Sequence, residues 1–191
     1  MDRGKTILFV DNSNIFQGSR NAGWRVDAKR LFKKLEEKGP IWQTFFFAAV
    51  TDPPRYSQTG FYKMLKQELH FETTILPLGK KTLRCNKCGD MRTTYTEKGV
   101  DVALATKLLV LANNRAFDTA ILLSGDKDYL ETVKAVKAQG LRVEIVSWRG
   151  SLSRDLADES SSTVIYLDDL HDEVELKVPV EPEVEKLLGV E

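Results

Sequence analysis

Cysteine and histidine are scarce: Cys85, Cys88, His70 and His171 are all that 191 residues contain. Two thiols cannot build the disulfide framework of a small secreted domain. Neither histidine lies near the acidic motifs described below, so nothing supports a histidine-based acid–base mechanism. Long apolar runs are missing too, since no stretch approaches the roughly 20 residues of a membrane span. The only early apolar run is cut at Asp11 and Asn12, so the first residues do not read as a secretion signal. A cytoplasmic protein without a membrane partner is the expectation. Glycine-rich dinucleotide loops and Walker-type loops are absent, which argues against a nucleotide cofactor.

Net charge is also lacking, with 28 Lys and Arg against 28 Asp and Glu, but the zero hides an asymmetry. Met1 to Arg154 holds 26 basic and 16 acidic residues, a net of +10, and Asp155 to Glu191 holds 2 and 12, a net of −10. A basic body suits a protein that meets phosphates, although basic helix faces can also be merely solvated. Apolar content of 42% with 29% charged residues is that of one globular domain, long enough to bury a full core.

Strand and helix signals alternate, predicting a mostly parallel sheet covered on both faces. Residues 6–10, the doubly apolar run 45–50, and residues 73–76, 119–123 and 141–146 read as strands, with an edge strand at 164–167. Helices are expected from Asp27, an N-cap, to Glu37, over 58–69, from Gly99 to about Asn114, over 127–139 and over 152–157. Residues 79–98 break this rhythm with a basic, polar stretch that reads as a hairpin insertion. After residue 169, acidic residues, Pro179 and Pro182 indicate a peripheral tail, 170–191. The domain is thus expected to span 1–169.

Asp11 ends the first strand, and Asp126 and Asp128 follow the 119–123 strand. Acids at the carboxyl ends of parallel strands gather in the crevice where α/β proteins place their sites. Asp101 falls in the first turn of a helix, where opposing the helix dipole would suffice to explain it. Together the acids would repel one another unless a cation neutralised them, and an all-oxygen donor set suits Mg²⁺ or Mn²⁺. Asn12, Asn14 and Ser124 supply neutral hydrogen bonds there, or simply turn chemistry. Other chemistries fit poorly. A dehalogenase-type phosphatase wants a second Asp where Ser13 stands, and a receiver domain wants an adjacent acidic pair.

Asp11-Asn12-Ser13-Asn14, Lys98-Gly99-Val100-Asp101-Val102-Ala103-Leu104 and Ser124-Gly125-Asp126-Lys127-Asp128-Tyr129 resemble the three motifs of NYN domains, in order and spacing, over residues 5–168. The likeness is strongest to the LabA-like branch of this PIN- and FLAP-nuclease-like superfamily. It implies a three-layer α/β/α Rossmann-like fold and a Mg²⁺- or Mn²⁺-dependent ribonuclease. Asp11, Asp101, Asp126 and Asp128 would be the catalytic, metal-holding positions, with Asn14 and Ser124 in the pocket. In one departure, Lys107 stands where many relatives carry an acid. A catalytically weak RNA-binding or scaffold protein is the alternative that Lys107 favours.

Cys85-x-x-Cys88 has the spacing of half a zinc site, and two copies in a homodimer would complete four thiolates around a shared zinc. A reduced hairpin tip is the plainer reading. The insertion carries Lys80, Lys81, Arg84, Lys87, Arg92 and Lys98, with Tyr95 interleaved, suited to phosphate contacts and base stacking on single-stranded RNA. Arg20, Arg25, Arg149 and Arg154 are expected to rim the crevice, the last two just beyond a strand end, with Lys98, Arg149 and Arg154 as substrate-binding residues. Trp148, at the same end, is either packing or a base platform.

Overall fold

The computed structural model describes residues 3–51, 56–84 and 88–177. Strand β1 (Thr6–Asp11) is buried at every position. It passes directly into helix α1 (Asn12–Ala22), because the Asp11 carboxylate accepts the amides of Ser13 and Asn14 and so caps the new helix. No helix is expected here from periodicity, since Asn12–Ala22 carries few apolar residues. Gly23, in the left-handed region at φ 78°, ends it. Helix α2 (Ala28–Glu36) starts on the expected cap, Asp27, and buries Leu31 and Leu35.

Strand β2 (Ile41–Val50) contains the run Phe45–Ala48, buried throughout. Helix α3 (Tyr56–Gln67) and strand β3 (Glu72–Pro77) follow. The insertion is the expected hairpin, β4 (Gly79–Arg84) antiparallel to β5 (Met91–Thr96). Helix α4 (Val100–Asn113) and strand β6 (Thr119–Leu123) come next. The expected 127–139 helix opens as a 3-10 turn, Lys127–Tyr129, before α5 (Leu130–Ala138). Strand β7 (Arg142–Ser147), α6 (Arg154–Asp158), the short β8 (Ile165–Tyr166) and α7 (His171–Val174) complete the order.

The central sheet runs β3-β2-β1-β6-β7-β8 with every pair parallel. Alternate residues of β1 feed two cores. Ile7 and Phe9 pack with Val100 and Leu104 of α4, Val133 and Val136 of α5 and Leu156 of α6. Leu8 and Val10 pack with Leu31 and Leu35 of α2, Leu65 of α3 and Val174 of α7. These are the three layers expected. The chain steps outward from β1 to β3 on one side and from β6 to β8 on the other. The order therefore reverses between β1 and β6, where sheets of this kind open their crevice.

On the second face lies a buried ion pair. Arg3 Nε and Nη2 donate to Glu144 Oε2 at 3.1 and 2.7 Å, and Nη1 donates to the Leu35 carbonyl at 2.8 Å. The folded chain also runs past residue 169, where composition places the domain's end. Val174 is fully buried, its carbonyl accepts the Asp27 amide at 2.8 Å, and Glu175 bridges Val26. Residues 178–191 of the expected tail lie outside the described residues. The charge asymmetry becomes ion pairing between body and C-terminal segment: Lys127–Asp155, Lys137–Glu159, Arg149–Asp169 and Lys34–Glu173.

Candidate active site

Asp11 is the hub of the crevice. It is 6% exposed, and each of its oxygens accepts twice. Oδ1 takes the amides of Ser13 and Asn14 at 3.0 and 3.2 Å. Oδ2 takes the hydroxyls of Ser124 and Tyr129 at 3.1 and 3.2 Å. Even so, burial raises the Asp11 pKa above its ordinary value, more than the hydrogen bonds lower it. The same burial, with Asp11, Asp101 and Asp126 as negative neighbours, holds the Tyr129 hydroxyl firmly in its neutral, donating form.

The β6 loop is fastened to this hub. Ser124, 1% exposed, donates to Asp11 and accepts the Asp126 amide at 3.2 Å. Asp126 caps the following 3-10 turn by accepting the Asp128 amide at 3.0 Å. Asn14 Oδ1 accepts the Gly125 amide at 3.1 Å and the Ser151 hydroxyl at 3.4 Å. Gly125 has no room for a side chain, since a Cβ there would lie 2.6 Å from the Ser151 carbonyl and 2.8 Å from Leu152 Cα. Asn14 and Ser124 are thus both joined to the hub, while Asn12 opens α1 half-buried.

Asp101 sits exposed in the first turn of α4, after Gly99 at φ 80°. Its charge acts on both Tyr129 and Glu97, and Asp126 acts on Tyr129. Acids from β1, α4 and the β6 loop therefore meet electrostatically. Asp128 is exposed and tied to the cluster through its backbone amide. Glu97 is an acid that the sequence reading passes over. Its Oε2 accepts the Ser13 hydroxyl, and its carboxyl is raised by burial and then by Asp11 and Asp101. Its signal in the sequence is its place two residues before Gly99, at the end of the basic hairpin.

Several expected residues stand elsewhere. Arg149 is engaged already: its guanidinium holds Asp169 at 2.5 Å and lies 4.0 Å from the Tyr166 ring. Arg154 is exposed at the start of α6, and Lys98 is exposed beside the hairpin root. Lys107 pairs with Glu72 at 2.8 Å and lies 4.6 Å from the Phe45 ring, at the first residue of β3 rather than at its carboxyl end. Trp148 is 2% exposed and donates to the Ile15 carbonyl at 3.2 Å, which makes it a packing residue and not a base platform. Cys88 is a free, exposed thiol; Cys85 lies outside the described residues.

A hard divalent ion fits the chemistry of the crevice, because a buried carboxylate with its pKa raised by desolvation shares its surroundings with further acids and has no cation partner among the described residues. The side chains are not drawn together, however. Among the described residues no three of Asp, Glu, His and Cys converge closely enough to grip an ion as they stand.

Known proteins resemble this chain in sequence and fold. The NYN domain family model matches residues 5–168. The low amplitude and bright protein LabA of Synechococcus elongatus is 21% identical over 180 residues, which are 93% of this chain and 91% of LabA. An uncharacterised protein of Sinorhizobium fredii is 39% identical over 70 residues, 35% of this chain and 33% of its own. A crystal structure of a Vibrio parahaemolyticus protein of unknown function superposes with a TM-score of 0.67 at 18% identity, covering 92% of this chain and 98% of that one. Among the described residues no helix is long and apolar enough to cross a membrane. With the three motifs, the strand order and the family match in agreement, the chain belongs to the NYN domain family, a PIN-like nuclease family.

Proposed function

We propose that this protein is a metal-dependent ribonuclease that hydrolyses phosphodiester bonds of single-stranded RNA in the crevice between β1 and β6. The observation that carries the reading is Asp11, buried with no cation partner among the described residues and sharing its electrostatic surroundings with Asp101, Asp126 and Glu97. Family membership points the same way, since PIN-like nucleases are generally dependent on divalent metal. Asp11, Asp101, Asp126 and Asp128, joined by Glu97, would hold Mg²⁺ or Mn²⁺. Such an ion, when bound, supplies a Lewis acid for the phosphate and an acidified water.

The chain's own residues do the positioning. Ser124 and Tyr129 orient Asp11 Oδ2, and the cap of α1 orients Oδ1. Asn14 and Ser124 hold the β6 loop by the Gly125 and Asp126 amides. The β4–β5 hairpin leaves the end of β3 and returns through Thr96 to Glu97, so its root is at the site. Lys80 stands opposite Tyr95 and Arg84 opposite Met91, which puts two cations, an aromatic and a thioether on one face of the ribbon. Tyr95 and Met91 are 55% and 60% exposed. That face suits phosphate contacts and base stacking along a single strand, with Lys98 and Arg154 completing the path.

Labelled single-stranded RNA incubated with Mn²⁺ or Mg²⁺ tests the proposal. Cleavage by the native chain and its loss in Asp126→Asn are expected. Equal activity in both proteins would assign the cleavage to a contaminant. A second reading, an RNA-binding protein without activity, rests on the lack of three converging acids among the described residues. RNA binding without cleavage at millimolar Mn²⁺ would establish it. The zinc shared between two chains through Cys85 and Cys88 is a separate proposal, refuted by less than about half an equivalent of zinc per chain in protein purified without chelator.

A further inference from the structure

Protein interiors hold few voids larger than a water molecule, yet a cavity of 750 Å³ opens between α1, α2 and α3 on the sheet face opposite the Asp11 side chain. Its floor is Leu8, Val10, Phe46 and Leu123. Ile15, Phe32, Phe61 and Met64 wall it, and Phe16, 56% exposed, stands at its edge. This volume lies within the 300–1,000 Å³ of ordinary small-molecule sites, which are apolar with a few polar groups at the rim. The charges at that rim are of unequal standing. Lys29 is taken by Glu68 at 2.5 Å, and the Asp27 carboxylate faces the Lys29 and Arg30 amides as the cap of α2. Arg20 and Arg25 also line the cavity, both exposed, and neither guanidinium has a carboxylate partner among the described residues.

An apolar hollow beside two uncommitted guanidinium groups matches one kind of molecule: a hydrocarbon or aromatic body that ends in an anion. We propose that this cavity binds a single-chain amphiphile with a carboxylate head, of the long-chain fatty acid class, with the chain over the β1–β6 floor and the head at Arg20 and Arg25. The site is distinct from the acidic crevice and independent of the nuclease reading. The two spaces are nevertheless neighbours. Asn12, the first residue of the helix that Asp11 caps, lines the cavity, as does Tyr62, which feels the charge of Glu97.

The experiment titrates the full chain with a dansylated undecanoic acid and displaces it with oleate, following dansyl fluorescence and quenching of Trp24 in the cavity wall. Saturable binding of one probe per chain is expected, with oleate displacing it and neutral methyl oleate at least tenfold weaker. Arg20→Ala with Arg25→Ala should weaken oleate by roughly tenfold and leave methyl oleate unchanged, the loss expected for hydrogen bonds to a charged group. Both residues are exposed, so the variant should fold, which its thermal transition would verify. Failure of the probe to saturate, or oleate and methyl oleate binding equally well, would overturn the proposal. So would binding that appears only when the chain is shortened to end at Lys177, since the cavity would then belong to the chain's own last residues.

Discussion

Glu144 and Asp11 are both buried carboxylates on strands of one sheet, 4% and 6% exposed, yet their surroundings could hardly differ more. Glu144 meets the Arg3 guanidinium through two nitrogens, and the third nitrogen of that group is taken by a carbonyl. Among the described residues Asp11 has only amides and hydroxyls as partners, and acids share its electrostatic surroundings. Neutralising a buried charge from within is evidently feasible in this fold, which does so where the carboxylate is structural. At the crevice no such partner stands among the described residues, and under the proposed function it comes from outside. A protein that holds a charge in this way gives up stability to keep a site ready.

The sharpest way to break the contrast is to remove the cation where it exists. Arg3→Ala should destabilise the domain by about 3–5 kcal/mol, since Glu144 would stay buried with only the longer contact to Arg142 at 3.9 Å. Arg3→Met with Glu144→Leu should recover much of that loss. Urea unfolding of the single and double variants measures both. Gly125→Ala is next in size. Its Cβ would press on backbone of the 151–152 segment, so a loss of about 1–3 kcal/mol is expected, together with loss of RNA cleavage as the β6 loop shifts from Asp11.

Asp11→Asn sharpens the contrast in the opposite direction. Activity should fall by more than about 100-fold, beyond the effect typical of residues one shell away from a metal. Stability in chelator at neutral pH should nevertheless rise, with a gain on the order of 1 kcal/mol moving Tm by about 2–4 °C. The pH dependence follows from the raised folded-state pKa. Below the unfolded value the carboxyl is protonated in both states and there is no penalty. The penalty grows as pH rises through the folded value and is complete above it. The variant's advantage should therefore shrink as pH is lowered, which thermal melts at successive pH values would show. Smallest of all is Lys107→Ala. Its pair with Glu72 is 35% and 50% exposed, so a loss below about 1 kcal/mol and unchanged cleavage are expected. A large drop in activity would show that Lys107 serves the crevice after all.

How far the sequence foretold this molecule depends on the range of the forces involved. Strands such as 45–50 and 119–123 were legible because burial on both faces leaves unbroken apolar runs. The places of Asp11, Asp101 and Asp126 in the fold were legible because strand ends and helix starts are local signals. Helix α1 was not, since its start depends on the Asp11 cap and one side of it is seated by Gly18 against Trp148, 130 positions away, where a Cβ would lie 1.9 Å from the indole. The same contact decided Trp148, whose burial no local pattern reveals. Arg149 and Lys107 were assigned by their nearness to motifs in the chain, but Asp169 and Glu72 hold them through ion pairs that only the folded chain brings about. Glu97 was hidden for a related reason: its hairpin had to fold back to Ser13 before its charge could join the others.

The bond from Ser124 to Asp11 closes a loop of 113 residues, and that from Tyr129 closes one of 118. During synthesis the first motif emerges long before the third, and β6 must slide in beside β1 before either hydroxyl can reach the waiting carboxylate. A half-made polypeptide on the ribosome carries the earliest acid but none of the groups that aim it. Whatever chemistry this crevice performs must wait until the ribosome has released residues 119–129.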